Sequence, residues 1–261
     1  MPDGTTVAYG PHPDQVADLV LPVVGTRPAP LVVLLHGGFW RAEYDRAHIR
    51  PLAHALAARG YAVANTEYRR IGGGGGWPAT FTDVALAADT LPDAVEPAHP
   101  GLVDRTAVVY AGHSAGGHLA LWAALRDRLP EGAPGRAERL PAVAGVLALA
   151  PVADLAEAYR LGDGRGAVAA LLGGGPDELP ERYAAADPTA LGAPEVPVVL
   201  VHGERDEVLP VAQARRYRDA FDGVRLVEPP GAGHFELIDP ASAAWPAVAD
   251  AVRLVAGPTG R

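Results

Sequence analysis

The segment that decides the fold is TAVVYAGHSAGGHLALW, residues 106–122. An apolar run typical of a buried strand leads into the pentapeptide GHSAG (112–116), and a helical pattern follows it. A GxSxG motif between a strand and a helix predicts a sharp turn that presents Ser114 as a nucleophile. The two glycines suit such a turn because its strained backbone leaves little room for side chains.

Short β-rich runs alternate with longer helical patterns on both sides of this segment. Predicted strands cover QVADLVLPV (15–23), LVVLL (31–35), YAVANTEY (61–68), TAVVY (106–110), VAGVLALA (143–150), VPVVLVH (196–202) and VRLVE (224–228). Predicted helices cover residues 45–59, 81–91, 114–128, 211–221 and 243–255. This alternation predicts a single α/β domain over residues 1–261, with a mostly parallel central sheet flanked by helices.

Two regions interrupt the alternation. GGGGGW (72–77) contains too much glycine for a regular element, and we expect a mobile loop there. Residues 152–192 show helical patterns interspersed with Gly, Pro and Asp. We expect this second region to be a small cap or lid inserted into the domain.

The composition excludes several kinds of chemistry. The 261 residues include 22 basic residues, all arginine, and 31 acidic ones, with neither lysine nor cysteine. Schiff-base lysines, cysteine nucleophiles, thiolate metal sites and disulfides are therefore excluded. A net charge of −9 without a basic cluster argues against nucleic acid as a partner. With no signal sequence or long apolar stretch, we expect a cytoplasmic protein without membrane contact; a homodimer stays open.

A serine nucleophile needs a base and a group that orients the base. Ser114, Asp206 and His234 each follow a different predicted strand, and such strand ends line one edge of a parallel sheet, where ligands bind. We therefore predict a catalytic triad of these three residues. His234 is the one histidine that lies C-terminal to Asp206, whereas Glu204 and Glu207 are alternatives to Asp206.

Acyl transfer also needs hydrogen-bond donors for the negative oxygen that develops on the carbonyl. The stretch LVVLLHGGFWR (31–41) ends a predicted strand with two glycines, which allow the backbone to approach a substrate closely. We predict that the amides of Gly38, Phe39 and Ala115 form an oxyanion hole. Gly37 is the alternative to Phe39.

Several aromatic and histidine residues are also predicted to lie near this edge of the sheet. Trp40, Tyr68 and Trp77 are predicted to line an apolar acyl or aryl pocket, although core packing explains such aromatics equally well. His113 and His118 flank the nucleophile, and we expect them to pack and to hydrogen-bond. We expect no metal site, because no third ligand lies at a recognisable spacing.

Four further residues are singled out by their positions. His36 and His202 precede glycines at strand ends, and we expect them to orient loops. Arg69 and Arg70 either face solvent or contact a substrate carboxylate.

The motifs together resemble a known family. YGPHPDQVADLVLP, HGGFW, EYRR, GHSAGGHLALW, HGERDEVLP and GAGH, between residues 9 and 234, resemble the kynurenine formamidase-like and small-esterase branch of the α/β-hydrolase fold. The resemblance implies that Ser114, Asp206 and His234 form the triad and that no metal or organic cofactor is needed. Residues 152–192 match nothing diagnostic of that branch, so the resemblance does not identify the substrate.

These observations predict a serine hydrolase that acts on a small molecule. The substrate is a small carboxylic ester or an N-formyl aryl amide, cleaved through an acyl-enzyme intermediate. A prolyl-oligopeptidase-like peptidase is a weaker alternative, since such enzymes usually carry a large extra domain. A catalytically silent binding module with the same fold is the alternative from another functional class.

Overall fold

The computed structural model describes residues 5–22, 24, 28–162 and 166–257. In these ranges, one sheet contains β1 (Thr6–Ala8), β2 (Val16–Val20), β3 (Ala29–Leu35), β4 (Ala62–Thr66), β5 (Val103–His113), β6 (Val143–Leu149), β7 (Val198–Val201) and β8 (Val224–Val227). The strand order is β1-β2-β4-β3-β5-β6-β7-β8. β2 pairs antiparallel with β1 and β4, and all other neighbours are parallel. The predicted mostly parallel sheet is confirmed.

Helices cover both faces of this sheet. They are α1 (Arg50–Ala57), α2 (Ala79–Ala94), α3 (Ala115–Ala123), α4 (Leu155–Leu161), α5 (Ala167–Leu172), α6 (Pro180–Ala186), α7 (Pro188–Leu191), α8 (Ala212–Ala220) and α9 (Trp245–Ala256). Among the described residues, three short 3-10 helices cover Arg46–Ile49, Arg126–Arg128 and Phe235–Leu237. The core under α1 and α9 lies on one face of the sheet, and the core under α2, α3 and α8 lies on the other. Within the described ranges, none of these helices combines the length and apolar character needed to span a bilayer.

The central strand β3 explains the continuous apolar run in the sequence. All seven of its residues are buried. Leu31, Val33 and Leu35 pack into the core on the α3 face, whereas Val32 and Leu34 pack into the core under α1 and α9. Because successive side chains of a strand point to opposite faces, a strand covered on both faces is apolar at every position.

The predicted elements differ from the observed ones mainly at their ends. The predicted helix over 45–59 is a 3-10 turn followed by α1, and the Asp45 carboxylate caps that turn by accepting a 2.8 Å hydrogen bond from the Ala47 amide. The predicted helix over 114–128 ends as α3 at Ala123 and resumes as a 3-10 turn. β1 has three residues, too few for a recognisable alternation, and was not predicted. Val23, at the end of the first predicted strand, lies outside the described residues.

The chain between β6 and β7 forms four short helices, α4 to α7, apart from residues 163–165, which lie outside the described ranges. This segment packs against α3 and against the end of the glycine-rich stretch 72–77. There, the Trp77 amide donates a 2.7 Å hydrogen bond to the Leu171 carbonyl of α5. The helical content expected for residues 152–192 is thus present, whereas its role as a lid stays a prediction.

Candidate active site

Ser114 sits on a strained turn between β5 and α3. Its φ of 56° and ψ of −118° place a non-glycine residue in a region that L-amino acids rarely adopt. A Cβ at Gly112 would lie 2.2 Å from the Gly116 carbonyl oxygen, and a Cβ at Gly116 would lie 2.1 Å from the Leu35 carbonyl oxygen. Only glycine fits at either position, so the GxSxG pattern is a packing requirement of this turn.

Asp206 and His234 form the central polar contact of the site. His234 Nδ1 donates to Asp206 Oδ2 at 2.6 Å. The other oxygen, Oδ1, accepts from the amides of Val208 and Leu209 at 2.9 and 2.8 Å, and His202 Nε2 lies 3.3 Å from Oδ2. Burial alone would raise the pKa of Asp206, but the hydrogen bonds from His202, His234 and the backbone hold it well below its usual range. The carboxylate is therefore ionised at neutral pH.

The structure shows which of the three candidate carboxylates contacts His234. Glu204 and Glu207 are exposed, and Glu204 accepts a hydrogen bond from the Gly231 amide at 3.2 Å. Asp206 is the carboxylate that contacts His234. It reaches inward because the turn after β7 hydrogen-bonds its Oδ1 and fixes its side chain.

Ser114 and His234 line the same cavity, which has a volume of about 280 Å³. This large cavity is lined by Gly38, Phe39, Tyr44, His48, His113, Ser114, Val208, His234, Phe235 and Ile238. The turns after β5, β7 and β8 therefore meet at one edge of the sheet, as the strand order of a parallel sheet requires.

His113, beside Ser114, connects two of these turns. Its Nε2 donates to the carbonyl oxygen of His234 at 3.0 Å, and the two rings lie 4.5 Å apart. Burial lowers the pKa of His113 well below its usual range, so the ring is neutral. The expectation that His113 packs and hydrogen-bonds is confirmed.

His118 connects α3 to the segment between β6 and β7. Its Nε2 donates to the Ala186 carbonyl oxygen at 2.9 Å, and its ring stands edge-on to Trp40 at 5.3 Å. Burial lowers the pKa of His118 to about 4. Among the residues that the structure describes, no group of three or more His, Asp or Glu side chains is arranged to hold a metal ion.

The turn after β3 has an unusual backbone. Gly38, Phe39 and Trp40 have φ angles of 104°, 55° and 56° in succession. The amides of Gly38, Phe39 and Ala115 have no hydrogen-bond acceptor within the described part of the chain. Gly37, the alternative to Phe39, packs against the serine, since a Cβ there would lie 3.1 Å from the Ser114 Cβ.

Comparison with known families identifies the chain. The BD-FAE family model matches residues 17–221. The chain belongs to the BD-FAE family. The kynurenine formamidase branch, expected from the motifs, stays a prediction.

Solved structures similar to this BD-FAE chain confirm the α/β-hydrolase fold. A truncated carbohydrate esterase from gut microbiota superposes with a TM-score of 0.76 at 19% identity, over 98% of each chain. A bacterial heroin esterase superposes with a TM-score of 0.73 at 23% identity, over 97% of this chain and 83% of the other. At these identities the similarity extends to the fold alone.

Two curated relatives come from Mycobacterium tuberculosis. Esterase LipC is 31% identical over 254 residues, which cover 89% of this chain and 60% of LipC. The probable carboxylic ester hydrolase LipM is 31% identical over 242 residues, which cover 88% of this chain and 54% of LipM. The BD-FAE chain thus spans little more than half the length of these relatives.

Two of the three predicted pocket aromatics do not reach the cavity of this BD-FAE protein. The prediction for Tyr68 is wrong: its ring is fully buried, stacks on His36 at 4.4 Å and donates its hydroxyl to the His36 carbonyl oxygen at 2.7 Å. Trp77 is not among the residues that line the large cavity, since its half-buried ring packs edge-on against Phe81 at 5.1 Å, and its place in a substrate pocket stays a prediction. Position near a strand end does not determine the direction in which a side chain points.

Trp40, the third aromatic, lines a second and much smaller hollow that also borders Ser114. This small hollow, of about 10 Å³, is lined by Phe39, Trp40, Ser114, Val152, Ala158, Ala167, Val168, Val208 and Leu209. Four of these residues come from the segment between β6 and β7. Ser114, Phe39 and Val208 line both spaces.

Sequence reasoning missed Tyr44, His48, Phe235 and Ile238, which line the large cavity. His48 supplies a polar atom in this lining: its Nδ1 donates to the Asp45 carbonyl oxygen at 2.6 Å, which leaves Nε2 as an acceptor. Burial lowers the pKa of His48. No pattern in the sequence indicated that these residues reach the cavity: His48 and Phe235 lie in short 3-10 helices, and Tyr44 and Ile238 lie just outside them.

A buried charge network supports the turn after β3. His36 Nε2 lies 2.7 Å from Glu67 Oε1, and its Nδ1 donates to the Gly37 carbonyl oxygen at 2.7 Å. Arg70 Nη1 lies 3.2 Å from the same Glu67 oxygen. Burial opposes the ionisation of Glu67, but the hydrogen bond from His36 and the charge of Arg70 lower its pKa. His36 thus orients this loop, as expected from the sequence.

The paired arginines serve the fold. Arg70 is mostly buried beside Glu67, and Arg69 Nη2 donates to the buried Asp83 carboxylate at 2.6 Å. Their carboxylate partners come from the chain itself, so neither of the two interpretations offered by the sequence describes them.

Proposed function

We propose that this chain is a serine hydrolase that cleaves small carboxylic esters through an acyl-enzyme intermediate. One observation carries the proposal: His234 donates Nδ1–H to the buried, ionised Asp206 while lining the same cavity as Ser114. Because Nδ1–H is bonded to Asp206, Nε2 is the ring nitrogen that can accept the serine proton. The strained turn at Ser114 and the three amides of Gly38, Phe39 and Ala115, which have no acceptor within the described ranges, fit the same chemistry.

The reaction proceeds in two balanced steps. Ser114 Oγ attacks the carbonyl carbon as His234 takes its proton, and the leaving alcohol then departs with that proton. Water next loses a proton to His234 and attacks the acyl-serine, which releases the carboxylic acid and restores Ser114. Asp206 stays ionised throughout and stabilises the imidazolium that forms in each step.

The oxygen that becomes negative in each step needs donors. The amide of Ala115, the first of α3, lies beside the nucleophile in the chain, and the amides of Gly38 and Phe39 come from the turn after β3. All three lack another acceptor within the described ranges. Each such donor contributes about 3 kcal/mol of transition-state stabilisation in well-studied hydrolases.

The names of the curated relatives favour an ester. LipC is described as an esterase and LipM as a probable carboxylic ester hydrolase. An N-formyl aryl amide is the second candidate, because the small hollow of about 10 Å³ fits a formyl hydrogen and the large cavity fits an aryl group. We also propose that residues 152–192 act as a cap, since Val152, Ala158, Ala167 and Val168 wall that hollow.

The test combines covalent labelling with turnover. A fluorophosphonate reagent is expected to label the wild type at Ser114, located by peptide mapping, and to leave a Ser114→Ala variant unlabelled. Turnover of p-nitrophenyl acetate is expected to fall by several orders of magnitude in the same variant. Absence of labelling and turnover in folded wild type, judged by circular dichroism, would identify a silent binding module. Comparing kcat/KM for N-formylkynurenine and phenyl acetate separates formamide from ester.

A further inference from the structure

The two spaces that meet at Ser114 differ greatly in size. The large cavity measures about 280 Å³, whereas the small hollow measures about 10 Å³. A space of roughly 10–15 Å³ holds one water-sized group. The small hollow therefore admits a hydrogen atom or a single methyl group beside the reacting carbonyl, and the large cavity admits a ring.

The position of His234 determines which part of the substrate enters which space. The leaving group takes its proton from the histidine, so it has to lie on the histidine side of the serine. His234 lines the large cavity and not the small hollow. The leaving group therefore occupies the large cavity, and the acyl group extends from Ser114 into the small hollow.

The walls of the small hollow are held in place by core packing. Trp40 is 1% exposed and packs against His118, whose hydrogen bond to the Ala186 carbonyl joins it to α6. Val168 is 2% exposed and lies in the first turn of α5, and Val152 is 7% exposed after β6. Because close-packed interiors do not yield readily, a longer acyl chain has to displace these side chains.

On the basis of the proposed function, we propose that the enzyme is specific for formyl and acetyl groups carried on bulky leaving groups. Val168 and Val152 set the limit on acyl length. The segment between β6 and β7 thus limits the length of the acyl group. Tyr44, Phe235 and Ile238 surround the leaving group.

Two substrate series test this assignment in the full chain. The first series is p-nitrophenyl acetate, butyrate and hexanoate. From acetate to butyrate, kcat/KM is expected to fall by about tenfold or more, since a poorly accommodated methylene costs roughly 10- to 200-fold. Between phenyl acetate and 1-naphthyl acetate, kcat/KM is expected to stay similar. A wild type that prefers butyrate or hexanoate to acetate, or that rejects the naphthyl ester, overturns the proposal.

A matched pair of valine variants tests whether Val168 limits the length of the acyl group. Val168→Ala is expected to raise the butyrate-to-acetate ratio of kcat/KM by about tenfold. Val252→Ala removes the same groups from α9 on the opposite face of the sheet, where Val252 is also buried, and is expected to leave the ratio unchanged. An unchanged ratio in Val168→Ala, or an equal rise in both variants, contradicts the assignment.

The ratio of two substrates in one preparation does not depend on the fraction of folded enzyme. If Val168→Ala does not fold, Val152→Ala tests the same wall with the same expected rise. Turnover with a preference for long acyl chains overturns the proposed limit on acyl length but not the proposal that the chain is a serine hydrolase. Absence of both turnover and fluorophosphonate labelling overturns the two proposals together.

Discussion

The Nε2 of His113 donates a 3.0 Å hydrogen bond to the carbonyl oxygen of His234. The residue immediately before Ser114 therefore holds the backbone of the residue proposed as its base. A neutral, fully buried imidazole serves this purpose because its one N–H points in a single direction and carries no charge to desolvate.

Removing that donor is expected to impair turnover more than it impairs the fold. His113→Ala leaves the His234 carbonyl without its partner, and a shift of about 1 Å in the base lowers kcat/KM by up to about 100-fold. His113→Gln keeps an N–H donor on a side chain of similar length and is expected to recover part of the loss. The measurement is kcat/KM on p-nitrophenyl acetate, with thermal unfolding recorded in parallel.

His54→Gln is the matched control for these variants, since His54 is exposed on α1 and lines neither space at Ser114. It is expected to behave as the wild type. Equal kcat/KM in His113→Ala and wild type would show that the His113 bond does not position the base.

Tyr68 is expected to affect stability and not substrate preference. Its hydroxyl donates to the buried His36 carbonyl, so Tyr68→Phe leaves that oxygen unpaired at a cost of about 1–3 kcal/mol. Urea unfolding measures this loss, and kcat/KM for phenyl and 1-naphthyl acetate measures preference. A variant with wild-type stability but an altered preference between the two esters would place Tyr68 in the pocket after all.

The contrast between Tyr68 and Asp206 explains what the sequence alone predicts well. Parallel strands run to one edge of the sheet, so a carboxylate and a histidine that follow two such strands are expected to meet there, and Asp206 and His234 do. An aromatic residue at a strand end carries no comparable constraint on its direction, so Tyr68 turned out to lie in the core. Tyr44 and His48 could not be predicted because long-range packing alone brings them to the cavity.

The glycines of the serine turn offer a test of packing. Gly116→Ala places a methyl group 2.1 Å from the Leu35 carbonyl oxygen, where the backbone cannot move without disturbing β3. We expect a loss of about 3 kcal/mol or more in unfolding free energy, or failure to fold. Gly117→Ala is the control: its nearest neighbour is Pro151 at 3.1 Å, so a small shift relieves the contact and a milder loss is expected.

Asp187 is expected to make the protein less stable as the pH rises from about 4 to 6. Its carboxylate lies in the segment between β6 and β7, and burial raises its pKa to about 6 although it accepts hydrogen bonds from the amides of Ala156 and Thr189. Between its unfolded pKa of about 3.9 and this raised value, the folded state binds a proton that the unfolded state does not. The unfolding free energy therefore decreases with increasing pH across this window, by on the order of 1–3 kcal/mol.

Asp206 affects the pH dependence of the unfolding free energy with the opposite sign and over a lower pH range than Asp187. Its lowered pKa contributes stability that is present above the unfolded value of about 3.9 and is lost as the pH falls below it.

The effect of Asp187 is isolated by subtraction: urea unfolding of wild type and Asp187→Asn is compared at pH 4, 5, 6 and 8. The wild type is expected to lose stability relative to the variant between pH 4 and 6 and to run parallel to it above pH 7. A difference that is constant across this range would show that Asp187 ionises with an ordinary carboxylate pKa.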